Sequence, residues 1–286
     1  MNGIVIVDKP RDWTSQDVTA RLRRVFNTRR IGHGGTLDPM ATGVLPVFVG
    51  RATRAVEFFE HAEKVYETRL RLGIDTDTED ITGTVLAEKP VQVTDAQVET
   101  ALAAFRGEIS QIPPMYSAIK IGGQKLYDLA RKGQTVERPA RTVVIYELTL
   151  LAREGDTLRL RVHCSKGTYI RTLCRDIGES LGCGGCMAEL RRVSAGRFTL
   201  ADAVPLETLL AAENPETYLL RMDALFRDYP AVTLTENQEK RCRNGNDFSV
   251  KYPDGRYRAY GKDGAFLMLA QVEQGTMHTV KSFFEV

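Results

Sequence analysis

The sequence predicts an α+β chain, in which a sheet flanked by helices is followed by a small all-β unit. Segments with period-two alternation of apolar residues predict the strands, and amphipathic segments predict the helices between them. After residue 226 the pattern changes to short alternating segments separated by Asn-Gly and Asp-Gly turns, which is typical of a small β-barrel.

Length and composition limit the possible classes of protein. The chain has 286 residues, of which 43% are hydrophobic, enough for one large or two ordinary domains with a sizeable core. No apolar run reaches the ~18 residues that a membrane-spanning helix needs. The N-terminus reads as a strand and not as a signal peptide, so we expect no membrane association and a cytoplasmic location.

The five cysteines are expected to be reduced thiols, because their number is odd and no secretion signal precedes them. Cys183 and Cys186 form a single Cys-x-x-Cys pair, which we interpret as small residues in a turn after a helix. A zinc or redox site completed by His163, Cys164 and Cys174 is the alternative.

The first fifty residues predict a strand over residues 3–8, a helix over residues 15–26, a glycine-rich loop and a second strand over residues 44–49. The apolar side chains of the helix share one face, and cations follow one another on its outer face and just beyond it: Arg21, Arg23, Arg24, Arg29 and Arg30. A second basic set lies between residues 240 and 262. Two such patches on a chain of net charge +2 favour a nucleic-acid partner.

The loop over residues 32–43 exposes one carboxylate, that of Asp38. Its glycines allow backbone angles that other residues avoid, and Pro39 pushes Asp38 away from helical angles. Asp38 therefore either caps a turn or meets a ligand, and the loop alone leaves both readings open.

The middle of the chain predicts a strand over residues 64–72, with Tyr66 on its inner face, and then a helix that begins at the capping box of Thr94 and Gln97. The acidic segment between them, residues 75–80, has Asp80 where a calcium loop requires glycine, so we interpret it as a turn that contacts the site.

Residues 112–141 interrupt the pattern with prolines, glycines, an excess of lysine and arginine, and two tyrosines. A basic insertion with aromatic residues favours a binding element. A hairpin over residues 142–164 follows, and the next helix carries Tyr169 and Arg171 at its start.

Several common catalytic motifs are missing from the sequence. It has no phosphate-binding loop and no nucleophile elbow, and Leu37 stands where a dinucleotide fingerprint requires glycine or alanine. A carboxylate mechanism remains. A free aspartate is ionised at neutral pH and can attack a sugar or an electron-poor ring carbon, and an arginine can orient it through paired hydrogen bonds.

Five segments in this order resemble the TruB-type tRNA pseudouridine synthases. They are VDKP at residues 7–10, GHGGTLDPMATGVLPV at 32–47, KVYETRLRLG at 64–73, CSKGTYIRTL at 164–173 and LRRVSAGRF at 190–198. Together they cover most of residues 3–210, and five ordered blocks are far more specific than any one of them.

The resemblance implies the pseudouridine synthase fold, a mixed, mainly antiparallel sheet with flanking helices. It implies isomerisation of uridine 55 in the T-loop of tRNA on a base outside the stack, with no cofactor and no metal. Carried over by position, Asp38 is the nucleophile, Tyr66 packs on the target base and serves in proton transfer, and Arg171 pairs with Asp38. The remaining site residues are His33, Lys9, Tyr169 and Leu190.

The resemblance also implies the division of the chain and its partners. Residues 1–226 are the catalytic domain with a thumb-like insertion at 112–141, and residues 227–286 are a PUA-like RNA-binding domain. The partner is tRNA, through its T-stem-loop and acceptor stem, with no obligate protein partner. The alternatives are a catalytic subunit of a guide-RNA-dependent synthase and a non-catalytic tRNA-binding or tRNA-folding module.

Overall fold

The computed structural model describes residues 1–284 and is built around one mixed sheet of ten strands. The strands are β1 (Gly3–Lys9), β2 (Ile31–His33), β3 (Thr42–Val49), β4 (Lys64–Leu72), β7 (Gly107–Gln111), β10 (Arg141–Glu154), β11 (Thr157–Cys164), β12 (Gly185–Ala195), β13 (Phe198–Thr199) and β14 (Val204–Pro205). Their spatial order is β14-β1-β3-β12-β4-β11-β10-β7, with β2 beside β3 and β13 beside β12.

The helices are α1 (Ser15–Val25), α2 (Val56–Phe59), α3 (Asp95–Ala104), α4 (Leu126–Ala130), α5 (Ile170–Ser180), α6 (Leu206–Ala211) and α7 (Glu236–Arg243). Side chains of α1, α3, α5 and α6 share a single apolar core with the inner face of the sheet. The predicted starts of the first two long helices are confirmed, and Thr94 forms its capping box with Gln97. No helix within residues 1–284 is long and apolar enough to cross a membrane.

The predicted faces of the central strands are confirmed. On β4 the side chains of Tyr66, Thr68, Leu70 and Leu72 are buried, and the residues between them are partly exposed. On the outer face Arg159 and Arg161 of β11 pair with Glu67 of β4, so that this face is a charged, solvated surface. The predicted hairpin corresponds to β10 and β11.

The middle of the sheet is crossed by β12, which lies between β3 and β4. It runs parallel to β3 and antiparallel to β4, and the pairing of β1 with β14 is also parallel, so the sheet is mixed. Gly43 permits the contact of β3 with β12. Its φ is +101°, and a Cβ atom there would lie 2.2 Å from the carbonyl oxygen of Arg192.

Two small hairpins lie outside the ten-stranded sheet. The acidic segment forms the turn between β5 (Ile74–Thr76) and β6 (Val85–Glu88). The basic insertion contains β8 (Lys120–Ile121), β9 (Gln124–Lys125) and α4.

The C-terminal segment forms a five-stranded sheet of β15 (Ala231–Thr233), β16 (Phe248–Ser249), β17 (Gly255–Tyr260), β18 (Phe266–Glu273) and β19 (Thr276–Ser282), in the order β15-β17-β18-β19-β16. Besides its own core, this sheet shares an apolar cluster with the first part of the chain. Phe266 and Phe283 pack with Phe226, and the same cluster contains Phe48 and Phe59.

All five cysteines are buried and unpaired. Cys183 lies in the turn after α5, as predicted, whereas Cys186 lies within β12. No group of three or more histidine, cysteine, aspartate or glutamate side chains within residues 1–284 is arranged to hold a metal ion, so the zinc interpretation finds no geometric support.

Candidate active site

The loop that carries Asp38 is fixed from below by two buried polar side chains. Ser15, the first residue of α1, accepts a hydrogen bond from the backbone N–H of Leu37 at 2.9 Å and donates to its carbonyl at 3.2 Å. Lys9, with no exposed surface, donates to the carbonyl groups of Pro10, Trp13 and Pro39. Lys9 therefore holds the residue that follows Asp38.

The backbone of Asp38 closes a turn, but its side chain does not cap that turn. The carbonyl of Asp38 accepts from the N–H of Ala41 at 3.0 Å. The carboxylate instead points to Arg171, whose Nε lies 3.0 Å from Oδ2 and whose Nη2 lies 3.4 Å from Oδ1. Of the two readings of the loop, the structure supports a carboxylate aimed out of its own turn.

Arg171 is held by groups from two distant segments. Its Nη2 donates to the carbonyl of Tyr116 at 2.8 Å, and its Nη1 donates to the carbonyl of Thr78 at 3.3 Å and lies 3.8 Å from Oδ2 of Asp80. The acidic turn and the start of the basic insertion thus both contact the arginine, and the prediction that the acidic turn contacts the site is confirmed.

The acidic turn carries a second buried carboxylate, which the sequence analysis did not single out. Glu79 accepts from the hydroxyl of Thr172 at 2.6 Å and forms an ion pair with Arg175. Burial raises the pKa of Glu79 against the opposing effect of Arg175. These two contacts tie the turn to α5 at Thr172, the residue after Arg171, and at Arg175.

Tyr66 lies on the inner face of β4 beside a buried arginine. Burial raises the pKa of its hydroxyl, against the charge and hydrogen bond of Arg192, so the hydroxyl is protonated at neutral pH. Arg192 on β12 is 1% exposed and donates from Nε to the carbonyl of Val44 at 2.7 Å and from Nη2 to that of Gly35 at 3.0 Å. The sequence analysis missed Arg192 as a site residue, although the motif at residues 190–198 contains it.

His33 ends β2 at the entrance to the catalytic loop. Burial lowers its pKa, and the charge of Arg192 acts in the same direction, so the ring is neutral at pH 7. Its Nδ1 atom is buried without a hydrogen-bond partner in the described chain, and its Nε2 atom lies 3.5 Å from Nε2 of Gln16.

Tyr169 and Leu190 come from opposite sides of the site. Tyr169 precedes α5, where its backbone N–H donates to Oε1 of Gln111 at 2.8 Å and its carbonyl accepts from Nε2 of the same side chain at 3.0 Å. Leu190 is nearly buried on β12, where it pairs with Thr68. Gln111, at the end of β7, was not predicted and anchors Tyr169 where the basic insertion begins.

The structure brings the predicted residues together to different degrees. Asp38 and Arg171 are in direct contact, and Lys9 acts on Asp38 through the backbone of Pro39. Burial raises the pKa of the Tyr169 hydroxyl, the charge of Arg171 lowers it, and the charge of Asp38 raises it. The charge of Asp38 also raises the pKa of Tyr66. The arrangement is therefore a partly exposed carboxylate, oriented by an enclosed arginine, with two protonated tyrosines nearby.

The fold is that of the pseudouridine synthases. The solved structure of a Cbf5–Nop10–Gar1 complex contains a chain similar to this one with a TM-score of 0.74 and 26% identity, over 99% of this chain and 85% of that chain. The similarity thus extends over the mixed sheet and over the C-terminal five-stranded sheet.

Sequence comparisons define the family. The N-terminal domain model of the TruB family of pseudouridylate synthases matches residues 23–170, and the C-terminal domain model of tRNA pseudouridylate synthase B matches residues 171–225. The chain is similar to tRNA pseudouridine synthase B of Pseudomonas fluorescens strain Pf0-1, with 46% identity over 96% of this chain and 92% of that protein. For the protein of the same name from Francisella tularensis subsp. novicida strain U112, the identity is 43% over 99% and 95%. The chain belongs to the TruB family.

Proposed function

We propose that this protein isomerises uridine to pseudouridine at position 55 in the T-loop of tRNA, acting on a base turned out of the stack. The observation that carries the proposal is the pairing of Asp38 with Arg171 in a chain of the TruB family. The names of the similar proteins from Pseudomonas and Francisella support the activity and tRNA as the substrate.

In the proposed reaction the C–N glycosidic bond breaks, the uracil turns, and C5 of the same base joins C1′ of the same ribose. The proton lost from C5 is replaced by one at the freed ring nitrogen, so atoms and electrons balance without a cofactor. Asp38 acts as the nucleophile, at C6 of the base or at C1′, or it promotes a glycal route. Arg171 keeps its carboxylate oriented for each of these routes.

The neighbouring residues bind the extruded base and support the RNA. Extrusion costs a few kcal/mol, which stacking and hydrogen bonds to the base edge offset. Tyr66 provides a stacking surface and a hydroxyl for proton transfer, and Tyr169 and Leu190 complete the uracil pocket. His33, neutral at pH 7, supports the RNA where the base has left the stack.

We further propose the division of labour along the chain. Residues 1–226 carry catalysis, residues 112–141 act as a thumb on the RNA, and residues 227–286 form a PUA-like domain that binds the acceptor stem. The cations of the insertion support this, since Lys120, Arg131, Lys132 and Arg141 are exposed. So do the five-stranded C-terminal sheet and the exposed basic face of α7.

The contacts of the insertion favour a stand-alone enzyme over a guide-RNA-dependent subunit. The carbonyl of Tyr116, near the start of the insertion, accepts a hydrogen bond from Arg171. This segment therefore completes the surroundings of the pair of Asp38 and Arg171. A module that only binds or folds tRNA would have no need of that enclosed pair.

The experiment is release of tritium from a tRNA transcript labelled at C5 of uridine, without added metal or nucleotide. We expect release by the wild-type protein and a loss of several orders of magnitude for Asp38→Asn, which still binds the transcript. Binding without release by the wild-type protein would leave the non-catalytic module as the function. Turnover near the wild-type rate by Asp38→Asn would exclude Asp38 as the nucleophile.

A further inference from the structure

A gap lined by two cations lies beside the catalytic loop, at Gly35. This exposed residue has a φ of +85°, and a Cβ atom there would lie 3.4 Å from Nη1 of Arg192 and 3.8 Å from Cε of Lys64. Gly35 stands three residues before Asp38. The missing side chain thus leaves room for a small group beside the loop, and the side-chain atoms nearest to that room belong to Arg192 and Lys64.

Lys64 shares the inner face of β4 with Tyr66. It is the first residue of β4 and stands two residues before Tyr66, so both side chains lie on the same face, about 6.6 Å apart along the strand. Lys64 is half-buried, and its Nζ donates to the carbonyl of Ala62. A group bound at Lys64 would therefore lie two residues along β4 from a base held against Tyr66, towards the start of the strand.

No carboxylate in the described chain neutralises these cations. Neither Lys64 nor Arg192 forms an ion pair with a carboxylate within residues 1–284. Arg192 donates to the backbone carbonyls of Val44 and Gly35 and to the hydroxyl of Tyr66. Burial lowers the pKa of Lys64 to about 8, and the charges of Arg192 and Lys166 act in the same direction. An anion in the gap would supply the counter-charge that the protein itself does not provide.

We propose that Lys64 and Arg192 form a phosphate-binding notch at Gly35, which holds the backbone phosphate of the nucleotide whose base enters the pocket beside Tyr66. The proposal rests on the proposed function, since it assigns the phosphate to the substrate RNA. Lysine binds phosphate as a point charge, and an RNA backbone can approach a glycine more closely than any other residue.

The notch makes RNA binding depend on pH. A bound phosphate favours the charged form of Lys64 and raises its pKa. Above pH 8, where the free protein has lost the proton of Lys64, the binding of RNA is therefore coupled to the uptake of a proton by this amine. The affinity for RNA should therefore fall as the pH rises from about 8 towards 10. A neutral linkage in place of that phosphate should remove this part of the pH dependence.

The test is the salt dependence of binding to a T-stem-loop RNA, measured in the Asp38→Asn background so that no RNA is converted. Lys64→Gln should reduce the slope of log K against log salt by about 0.7 to 0.9, the value for one lost phosphate contact. The matched control is Lys89→Gln. The backbone N–H of Lys89 donates to the carbonyl of Gly73, just beyond the opposite end of β4 and about 30 Å from Lys64, so this change should leave the slope unchanged. Lys64→Arg should retain most of it.

A second measurement identifies the phosphate. A single methylphosphonate linkage beside the target uridine should weaken binding at pH 7, weaken it less at pH 10, and cause no further loss in Lys64→Gln. The notch would be overturned by equal salt slopes for Lys64→Gln and Lys89→Gln. It would also be overturned if, at each of the two linkages that flank the uridine, the loss of affinity from methylphosphonate added in full to the loss from Lys64→Gln. Tritium release by the unmodified protein is scored separately, so a failure of the proposed function remains distinguishable from a failure of the notch.

Discussion

Arg171 and Asp38 form an ion pair that is enclosed on one side only. Their closest atoms are 3.0 Å apart, yet the side chain of Arg171 is 6% exposed and that of Asp38 is 35% exposed. The arginine is fixed by the carbonyls of Thr78 and Tyr116, so the carboxylate is oriented from behind while its front stays accessible. An incoming ring can therefore reach Asp38 without breaking the contacts that orient it.

Replacement of Arg171 by lysine should separate charge from orientation. Arg171→Lys keeps the positive charge but loses the planar fork and leaves at least one of the two carbonyls without a donor. At about 1–3 kcal/mol for an unsatisfied buried group, we expect a tenfold to hundredfold slower single-turnover rate with little change in RNA affinity.

The control for this change is Arg175→Lys, one turn further along α5. Arg175 pairs with Glu79 and Asp176 and does not contact Asp38. Its replacement should lower stability more than turnover. A wild-type rate in Arg171→Lys would show that charge alone suffices.

The pH dependence of stability and of turnover should have opposite signs at Lys9. Burial lowers the pKa of this amine from 10.5 to about 8. Between these values the unfolded chain binds more protons than the folded one, so the contribution of Lys9 to the free energy of unfolding rises with pH. Loss of the proton also removes one of three donors that hold the loop of Asp38, so turnover should fall above pH 8.

Urea unfolding and single-turnover rates at saturating RNA, from pH 7 to 10, test this prediction against Lys9→Met. The variant has no titrating group at this position. The difference in unfolding free energy between the two proteins should change with pH in the stated direction. A flat difference would show that Lys9 keeps its proton throughout.

Gly43 should tolerate no side chain. Gly43→Ala would place Cβ 2.2 Å from the carbonyl oxygen of Arg192, a rigid backbone group, so β3 and β12 would have to separate. We expect a loss of about 3 kcal/mol or more in unfolding free energy. Gly155→Ala is the control, since φ there is +60° with nothing within 4 Å of the added atom, and only the backbone strain of about 1–2 kcal/mol applies. Equal losses for both variants would rule out the steric explanation.

Phe226 should couple the two sheets. Its ring centroid lies 5.4 Å from that of Phe58, 6.0 Å from Phe266 and 5.9 Å from Phe283, and its side chain is buried. Phe226→Ala should cost about 3–5 kcal/mol and split a single thermal transition into two. Calorimetry checks both effects. The control is Tyr252→Ala in the same C-terminal segment, which loses only the ring contact with Tyr257. It should cost about 0.5–1.5 kcal/mol and leave a single transition.

The sequence predicted those parts of the site that belong to local patterns. The period of β4 was sufficient to place Tyr66 on the inner face, and motif resemblance was sufficient to select Asp38 and Arg171. Arg192 was missed because arginine in a strand ordinarily points to solvent. Its burial becomes intelligible only when the carbonyls of Val44 and Gly35 are brought to it across the sheet.

The C-terminal segment illustrates a second limit of sequence patterns. Alternation and turn residues predicted a small all-β unit. Its five-stranded sheet is present, but the helix α7 was not predicted. Alternation also shows which face is apolar and not what covers that face. Phe266 and Phe283 meet Phe226 and, through the same cluster, the first strands of the chain. The predicted boundary near residue 227 therefore falls beside a shared core.

The position of β12 has a consequence for how the protein comes into being on the ribosome. The strand that lies between β3 and β4 is formed by residues 185–195, more than a hundred residues after β4. While that stretch is translated, for roughly 6 to 25 seconds, the loop of Asp38 and the strand of Tyr66 have no common neighbour. A nascent chain can thus hold most of the candidate site residues before they are brought together, and we expect activity only once this late strand has joined the two halves.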